Sequence, residues 1–217
     1  MADVEQEKRL AAQAAAELVE DGMTVGLGTG STVGHLLTAL AARGLSLRCV
    51  ATSAQTDAAA RALGLPVESF AGPDALPELD IAIDGADQIA PDGWVMKGGG
   101  GAHTREKVVA AAARRFVVMA SSDKLVEHLG PPVPLELLTY GLAATLAYLD
   151  LVTVRDAPPS PDGGVIADYH GDIADPGDLA ISLSRVPGVV EHGLFQPSLV
   201  SEIIVARGGE VERRELS

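Results

Sequence analysis

Asp84 and Asp87 stand with only Gly85 and Ala86 between them. Lys97 follows, then Gly98-Gly99-Gly100-Gly101, then Glu106. Paired acids suit general acid–base work, and a lysine suits a developing negative charge. A run of glycines lets successive backbone N–H groups close around an anion. Together these residues read as a place for moving protons beside an anion. A free glutamate, with a pKa of about 4.3, is too weak a base to take a proton from a weak acid unless donors stabilise the anion as it forms. Lys97 and the glycine N–H groups are suitable donors and need no metal. Each piece also has an ordinary structural reading, because Asp-Gly and Gly-Gly are turn signals and a first-turn glutamate complements a helix dipole. The joint occurrence is what argues for chemistry. His103 is a rival base, although its side chain, at a loop–helix junction, could as easily face solvent. His35, His128, His170 and His192 show no paired metal-ligand spacing.

Short apolar runs predict the elements that carry these groups. Ile81-Ala82-Ile83 reads as a buried strand ending at the first aspartate, and Trp94-Val95-Met96 as a second strand ending at Lys97. A helix over residues 104–115 places Glu106 in its first turn. Ligands of open α/β sheets bind outside the carboxyl ends of the strands, so acids delivered there are candidates for chemistry. Earlier in the chain, helical spacing over residues 5–20 precedes the strand Thr24-Val25-Gly26-Leu27. The loop Gly28-Thr29-Gly30-Ser31-Thr32 then opens a helix through Leu36, Leu37 and Leu40 that Gly44 closes. Backbone N–H groups and hydroxyls at a helix start make an anion site. A tight turn with a serine cap is the structural alternative. The loop is not a dinucleotide fingerprint, since Ser31 or Val33 stands where the third glycine belongs, and no Gly-Lys-Ser/Thr makes it a Walker loop.

The same rhythm recurs. A strand over 47–51 ends at Thr52-Ser53 before a helix over 56–63, and a strand over 115–120 delivers Ser121, Ser122, Asp123 and Lys124. Strands alternating with helices argue for an α/β fold with a doubly wound, mostly parallel sheet of the Rossmann-like kind. From Pro131, Pro132 and Pro134 the texture changes. A helix over 138–149, strands over 151–154 and 165–168, a helix over 176–184 and the segment 189–195 predict a second, smaller α+β domain, ferredoxin-like and antiparallel. Residues 201–206 are apolar enough to return to the first sheet, with 210–216 a charged tail or edge strand. The expected division is a catalytic domain of 1–130 plus 200–217 and a small domain of 131–199.

The totals narrow the partners. The 217 residues carry 16 basic and 30 acidic side chains, a formal charge of −14 with no basic cluster, which argues against nucleic acid. An anionic small substrate needs a local positive site in that field, which raises the interest of Lys97 and Lys124. Aromatics are only 3% of the chain, so the core must be aliphatic and closely packed through alanine. A single cysteine, Cys49, allows no disulfide within the chain and reads as a small buried hydrophobe. The acidic amino terminus lacks a secretory pattern and no apolar run approaches a membrane span, so the expected location is the cytoplasm.

Taken together, five spaced motifs resemble ribose-5-phosphate isomerase of the A type. They are Gly26-Leu27-Gly28-Thr29-Gly30-Ser31-Thr32-Val33, Thr52-Ser53 with Thr56, Asp84-Gly85-Ala86-Asp87, Lys97-Gly98-Gly99-Gly100-Gly101-Ala102 with Thr104-Arg105-Glu106-Lys107, and Ser122-Asp123-Lys124. A looser fit continues through Asp168-Tyr169-His170-Gly171, Asp175-Pro176, Val186-Pro187-Gly188-Val189-Val190 and Gly193-Leu194-Phe195, so the resemblance covers nearly the whole chain. It implies an aldose–ketose isomerase of the non-oxidative pentose phosphate pathway, interconverting D-ribose 5-phosphate and D-ribulose 5-phosphate through an enediol. By that resemblance Glu106 shuttles a proton between C1 and C2, Asp84 and Asp87 handle ring opening and hydroxyl protons, and Lys97 steadies the charged intermediate. Gly28, Thr29, Gly30, Ser31, Thr32, Thr52, Ser53, Gly98, Gly99, Gly100 and Lys124 border the substrate, with Lys8 a phosphate contact. It implies no metal, no cofactor, and a homodimer or tetramer. Two departures stand out: Gln88 replaces an acid usual after the second aspartate, and residues 155–164 look shortened, which bears on any role of Arg155 at phosphate. A sugar-phosphate-sensing regulatory domain and a related sugar-phosphate isomerase or deaminase are the alternatives.

Overall fold

The structure, a computed structural model, describes residues 3–216. Met1 and Ala2, which open the segment inspected for a secretory pattern, and Ser217 lie outside the described residues. In chain order the elements begin α1 (Val4–Ala16), β1 (Thr24–Leu27), α2 (Ser31–Arg43), β2 (Arg48–Ala51), α3 (Ala54–Ala62) and β3 (Ile81–Asp84). Next come β4 (Gln88–Ile89), β5 (Val95–Met96), α4 (His103–Ala111), β6 (Phe116–Ser121), β7 (Val133–Leu137), α5 (Leu142–Tyr148) and β8 (Val152–Val154). The chain ends with β9 (Val165–Tyr169), α6 (Pro176–Ser184), β10 (Val189–His192), β11 (Leu194–Phe195), β12 (Glu202–Arg207) and β13 (Glu210–Glu215). Two compact units result: Met1–Ala86 with Glu106–Lys124 and Pro197–Ser217, and Asp87–Arg105 with Leu125–Gln196. Among the described residues no helix is long and apolar enough to cross a membrane.

The first unit is built on a six-stranded sheet of order β13-β12-β6-β3-β1-β2, parallel throughout except for the edge pair β12–β13. Residues 201–206 thus return to this sheet, and the charged end forms its edge strand. Successive strand side chains point to opposite faces. Val25, Leu27, Ile81, Ile83, Val117, Met119, Ile204 and Ala206 therefore share a face, and they pack in one core with the buried alanines of α1 and with Val33, Leu36, Leu37 and Leu40 of α2. On the other face Gly26 lets α4 come close. A Cβ there would stand 2.4 Å from a Val109 methyl. Helices therefore cover both faces, as a doubly wound sheet requires.

α1 and α4 are shorter than their sequence patterns predict. Periodicity runs to residue 20, but α1 stops at Ala16. The Arg43 guanidinium at the end of α2 donates to the Ala16 carbonyl and, at 2.7 Å, to the Val19 carbonyl. Carbonyls orphaned at a helix end are met there by a side chain instead of another turn. Likewise α4 ends at Ala111, not 115, because the chain beyond it pairs with Leu79. Leu79 N–H donates to Ala112 O and Arg114 N–H to Leu79 O, both at 2.8 Å.

The second unit holds a four-stranded antiparallel sheet of order β10-β7-β9-β8 and a three-stranded one of order β11-β5-β4. The β7-α5-β8-β9-α6-β10 succession in that strand order is the ferredoxin-like α+β arrangement. β7 lies inside a stretch whose prolines mark a boundary in sequence. Pro134 has no N–H to give a ladder, but on its hydrogen-bonding side it meets Gly193, whose N–H donates to Pro134 O at 2.7 Å. The expected helix over 138–149 forms only as Leu142–Tyr148, beginning at Gly141. The second unit also takes in residues 87–105 and 125–130, which the proline boundary left with the first. β5 pairs with β11, and the Gln88 amide makes a two-point pairing with Gly130, at 2.9 and 2.8 Å.

Candidate active site

In the first unit the strand ends of β1, β2 and β3 converge on the loop before α2. Asp84, the last residue of β3, is 3% exposed. Its Oδ1 accepts from Thr29 N–H at 3.1 Å and Gly85 N–H at 2.7 Å. Gly28 is required by this packing, since a Cβ on it would fall 1.9 Å from Asp84 Cγ. The Thr29 hydroxyl meets the Thr52 hydroxyl at 2.8 Å, and the Thr56 hydroxyl donates to Gly28 O at 2.8 Å. Ser53 caps α3, its Oγ accepting from Thr56 N–H at 3.1 Å. Thr29, Thr52, Ser53 and Asp84 are therefore one bonded cluster with the glycine loop. The serine-cap alternative is corrected. The residue before α2 is Gly30, at φ 126° with no side-chain capping bond, and Ser31 and Thr32 fall in the helix's first turn. Glu106, in the first turns of α4, is 5% exposed.

The remaining expected contacts of this unit are differently engaged. Lys124 ends a single 3₁₀ turn, Ser122–Lys124, with its ammonium 3.6 Å from Asp123. Lys8 lies 3.5 Å from Glu5, which also bonds His35 at 2.6 Å. Neither lysine is drawn into the Thr29–Asp84 cluster. Glu7, one residue before Lys8, carries no motif signal. It is nonetheless buried, with Oε2 accepting from Ser122 N–H (2.9 Å) and Oγ (2.8 Å) and Oε1 from Gly208 N–H (2.8 Å). The Gly208 and Ser122 N–H groups hold its carboxyl below the usual glutamate range. Cys49 is a buried free thiol, and burial, with the Glu68 charge, pushes it up to about 11.

In the second unit Lys97 is 3% exposed, with its ammonium 5.6 Å from the centre of the buried Phe195 ring, a cation–π distance. The glycine run folds as a tight turn, Gly98 at φ 110° and Gly101 N–H bonded to Gly98 O at 3.0 Å. A side chain at Gly98 would be doubly excluded, by that left-handed φ and by Pro134 Cβ at 2.6 Å. Gly99 and Gly100 are exposed, as is Asp87, whose Oδ2 accepts from Gly99 N–H at 2.7 Å. The expectation that His103 could face solvent is corrected: it is fully buried, its ring under Gly98. Arg155 forks onto Asp168 with both contacts at 2.6 Å and donates through Nη1 to Gly98 O (3.0 Å) and Gly99 O (3.1 Å). The short 155–164 segment is folded around Ser160. Its hydroxyl donates to the buried Glu136 carboxylate at 2.5 Å and accepts from Gly164 N–H at 2.9 Å. Arg105 forks onto Asp162 at 2.8 and 2.7 Å. Sequence reasoning missed Glu7, and it named Arg155 only in connection with phosphate and Phe195 only within a loosely fitting motif, because the partners of all three lie far along the chain.

Comparisons with known proteins bear on the chain as a whole. The family model of ribose 5-phosphate isomerase A (phosphoriboisomerase A) matches residues 48–210. The ribose-5-phosphate isomerase A of Roseiflexus castenholzii is 44% identical, with 94% of each chain covered. The crystal structure of ribose 5 phosphate isomerase A from Neisseria gonorrhoeae superposes with a TM-score of 0.92 at 29% identity, covering 100% of this chain and 99% of that one. A D-ribose-5-phosphate isomerase structure in complex with phospho-erythronic acid is 34% identical with a TM-score of 0.88, covering 98% and 99%. Sequence and fold agree along nearly the full length, and the chain belongs to the ribose 5-phosphate isomerase A family.

Proposed function

We infer that this protein interconverts D-ribose 5-phosphate and D-ribulose 5-phosphate by proton transfer through an enediol. The observation that carries the reading is the burial of Asp84, Lys97 and Glu106, each no more than 5% exposed, within the stretch that the family model matches. Charged side chains are almost never buried so completely without a structural partner or a chemical task. In this reading Glu106 takes the C2 proton of the open-chain aldose, and the electrons move to O1 to give an enediolate. Glu106 returns the proton to C1 as the ketone forms at C2. Lys97 stabilises the developing oxyanion. Its ammonium lies over the Phe195 face, and it acts in a site where donors are worth far more than in water. Asp84, fixed by two N–H groups, and Asp87, fixed by the Gly99 N–H, serve ring opening and the transfer of a proton between O1 and O2. The uncapped start of α2 at residues 28–32, with Thr52, Ser53, Gly98, Gly99, Gly100, Lys124 and Lys8, borders the sugar and its phosphate.

A coupled or direct spectrophotometric assay with ribose 5-phosphate tests this. Glu106→Gln keeps the shape but not the base, so kcat should fall by at least about 10²- to 10⁴-fold while substrate still binds. Near-normal turnover in that variant would remove Glu106 from the role. A sensor domain would bind the sugar phosphate without turning it over in the unaltered protein. A homo-oligomer is part of the same reading, supported by large apolar side chains open on the second unit, Tyr140 (91% exposed), Tyr148 (75%) and Leu151 (65%). Light scattering on the purified chain should give a mass of two or four copies, and a monomer at micromolar concentration would contradict it.

A further inference from the structure

We propose that Arg155 is a positioning residue for Asp87, acting through the single peptide group that joins Gly98 to Gly99. The oxygen of that peptide belongs to Gly98 and its hydrogen to Gly99. Arg155 Nη1 donates to the oxygen at 3.0 Å, and the hydrogen is given to Asp87 Oδ2 at 2.7 Å. One peptide plane is thus gripped by a guanidinium at one end and by a proposed proton-handling carboxylate at the other. Gly101 N–H, at 3.0 Å, takes a second place on the Gly98 oxygen, and Arg155 Nη1 also holds Gly99 O at 3.1 Å. Gly98 and Gly99 lack side chains, so their backbone turns more easily than that of other residues, and these bonds hold the plane in one orientation. Turning it over would break the bonds at both ends together.

The guanidinium is itself fixed. Nε and Nη2 each meet one oxygen of Asp168 at 2.6 Å, on the β9 strand of the four-stranded sheet. Arg155 and Asp168 side chains are 20% and 14% exposed, so the fork is shielded from solvent, and the Asp168 bonds hold the guanidinium firmly in its charged form. Four of the five guanidinium donors are thereby used within the protein, two on Asp168 and two on the glycine carbonyls. An arginine so engaged is poorly placed to hold a phosphate, and its geometry suits the bracing of a loop. A lysine offers a point charge without the planar fork and cannot hold Asp168 and both carbonyls at once.

The inference rests on the proposed role of Asp87, and the test separates the two. Arg155→Lys should lower kcat about 10- to 100-fold, the scale of a small misplacement of a reacting group. The inhibition constant of inorganic phosphate, competing with ribose 5-phosphate, should stay within about twofold, since no phosphate contact is lost. In a cycle with Asp87→Asn the double variant should be little worse than the poorer single one, because both act through one carboxylate. Added guanidinium at low millimolar concentration should restore part of the kcat of Arg155→Ala. Independently of turnover, the Gly99 amide should exchange with solvent faster in Arg155→Lys by NMR, with unchanged protection in β6. Full kcat in Arg155→Lys, additive losses with Asp87→Asn, or a weakened phosphate constant at normal kcat would each overturn the inference. Should Asp87→Asn itself prove fully active, the assignment of Asp87 fails, and unchanged Gly99 exchange in Arg155→Lys would then overturn the bracing as well.

Discussion

Glu7 shows how a single side chain outside every recognisable motif can set a strand end. From the first helix it reaches the Ser122 N–H and hydroxyl and the Gly208 N–H, tying the turn that carries Lys124 to the hairpin between β12 and β13. Bonds from the Gly208 and Ser122 N–H groups hold its carboxyl below the ordinary value. A depressed carboxyl stabilises the fold fully above the unfolded-state pKa and loses that contribution as pH falls through its lower folded-state value. Glu7→Gln should therefore cost about 1.5–3 kcal/mol at pH 7, the range for a hydrogen bond to a charged group. The gap between wild type and variant in urea unfolding should narrow below about pH 4. A gap independent of pH would show that the charge of Glu7 contributes nothing. The acids and the lysine of the proposed site are legible one by one, since each ends a strand or opens a helix within a short stretch. The roles of Glu7, Arg155 and Phe195 are not, because what identifies them is a partner brought near only by the fold.

Elements follow the sequence where one pattern acts alone and depart from it where tertiary bonds compete. β12 forms where residues 201–206 are apolar, β13 takes the edge-strand alternative for the charged residues after it, and α6 starts at Pro176 behind the Asp175 cap. α1 and α4 stop early because Arg43 and Leu79 offer their ends a better set of partners than another turn would. β7 is hidden by Pro134, whose missing N–H is tolerated only because its neighbour on that side is the Gly193 loop rather than a continuing ladder. The start of α3 offers a test of an element carrying two tasks. Ser53 caps that helix, and the proposed function also sets its hydroxyl beside the substrate. Ser53→Ala should cost about 1 kcal/mol of stability, whereas Ser53→Gly, a tolerable cap, should cost only a few tenths. If the hydroxyl also meets substrate, KM should rise in both variants alike. A KM that tracks stability, normal in Ser53→Gly, would leave Ser53 a cap only.

At the scale of the whole molecule the difficulty is charge. A chain of formal charge −14 must admit a phosphorylated sugar, itself an anion, to positions where lysines and N–H groups wait. In the proposed function each unit meets this locally: the first with the start of α2 and the Lys124 turn, the second with Lys97 and the glycine turn. These contacts act at a few ångströms, whereas the surplus acids act at long range through solvent. Salt separates the two, because the Debye length falls from about 30 Å at 0.01 M to about 8 Å at 0.15 M. Over that interval the distant repulsion is screened while short contacts survive. For this protein kcat/KM with ribose 5-phosphate should therefore rise with sodium chloride, by about two- to fivefold, through a faster encounter and with kcat nearly constant. Proteins that steer anions with a basic surface show the opposite slope. Measuring kcat/KM between those salt concentrations, in a buffer free of phosphate and sulfate, decides the matter. A decline with salt would mean that the local positive sites dominate the field a substrate meets from afar, despite the excess of 30 acidic over 16 basic side chains.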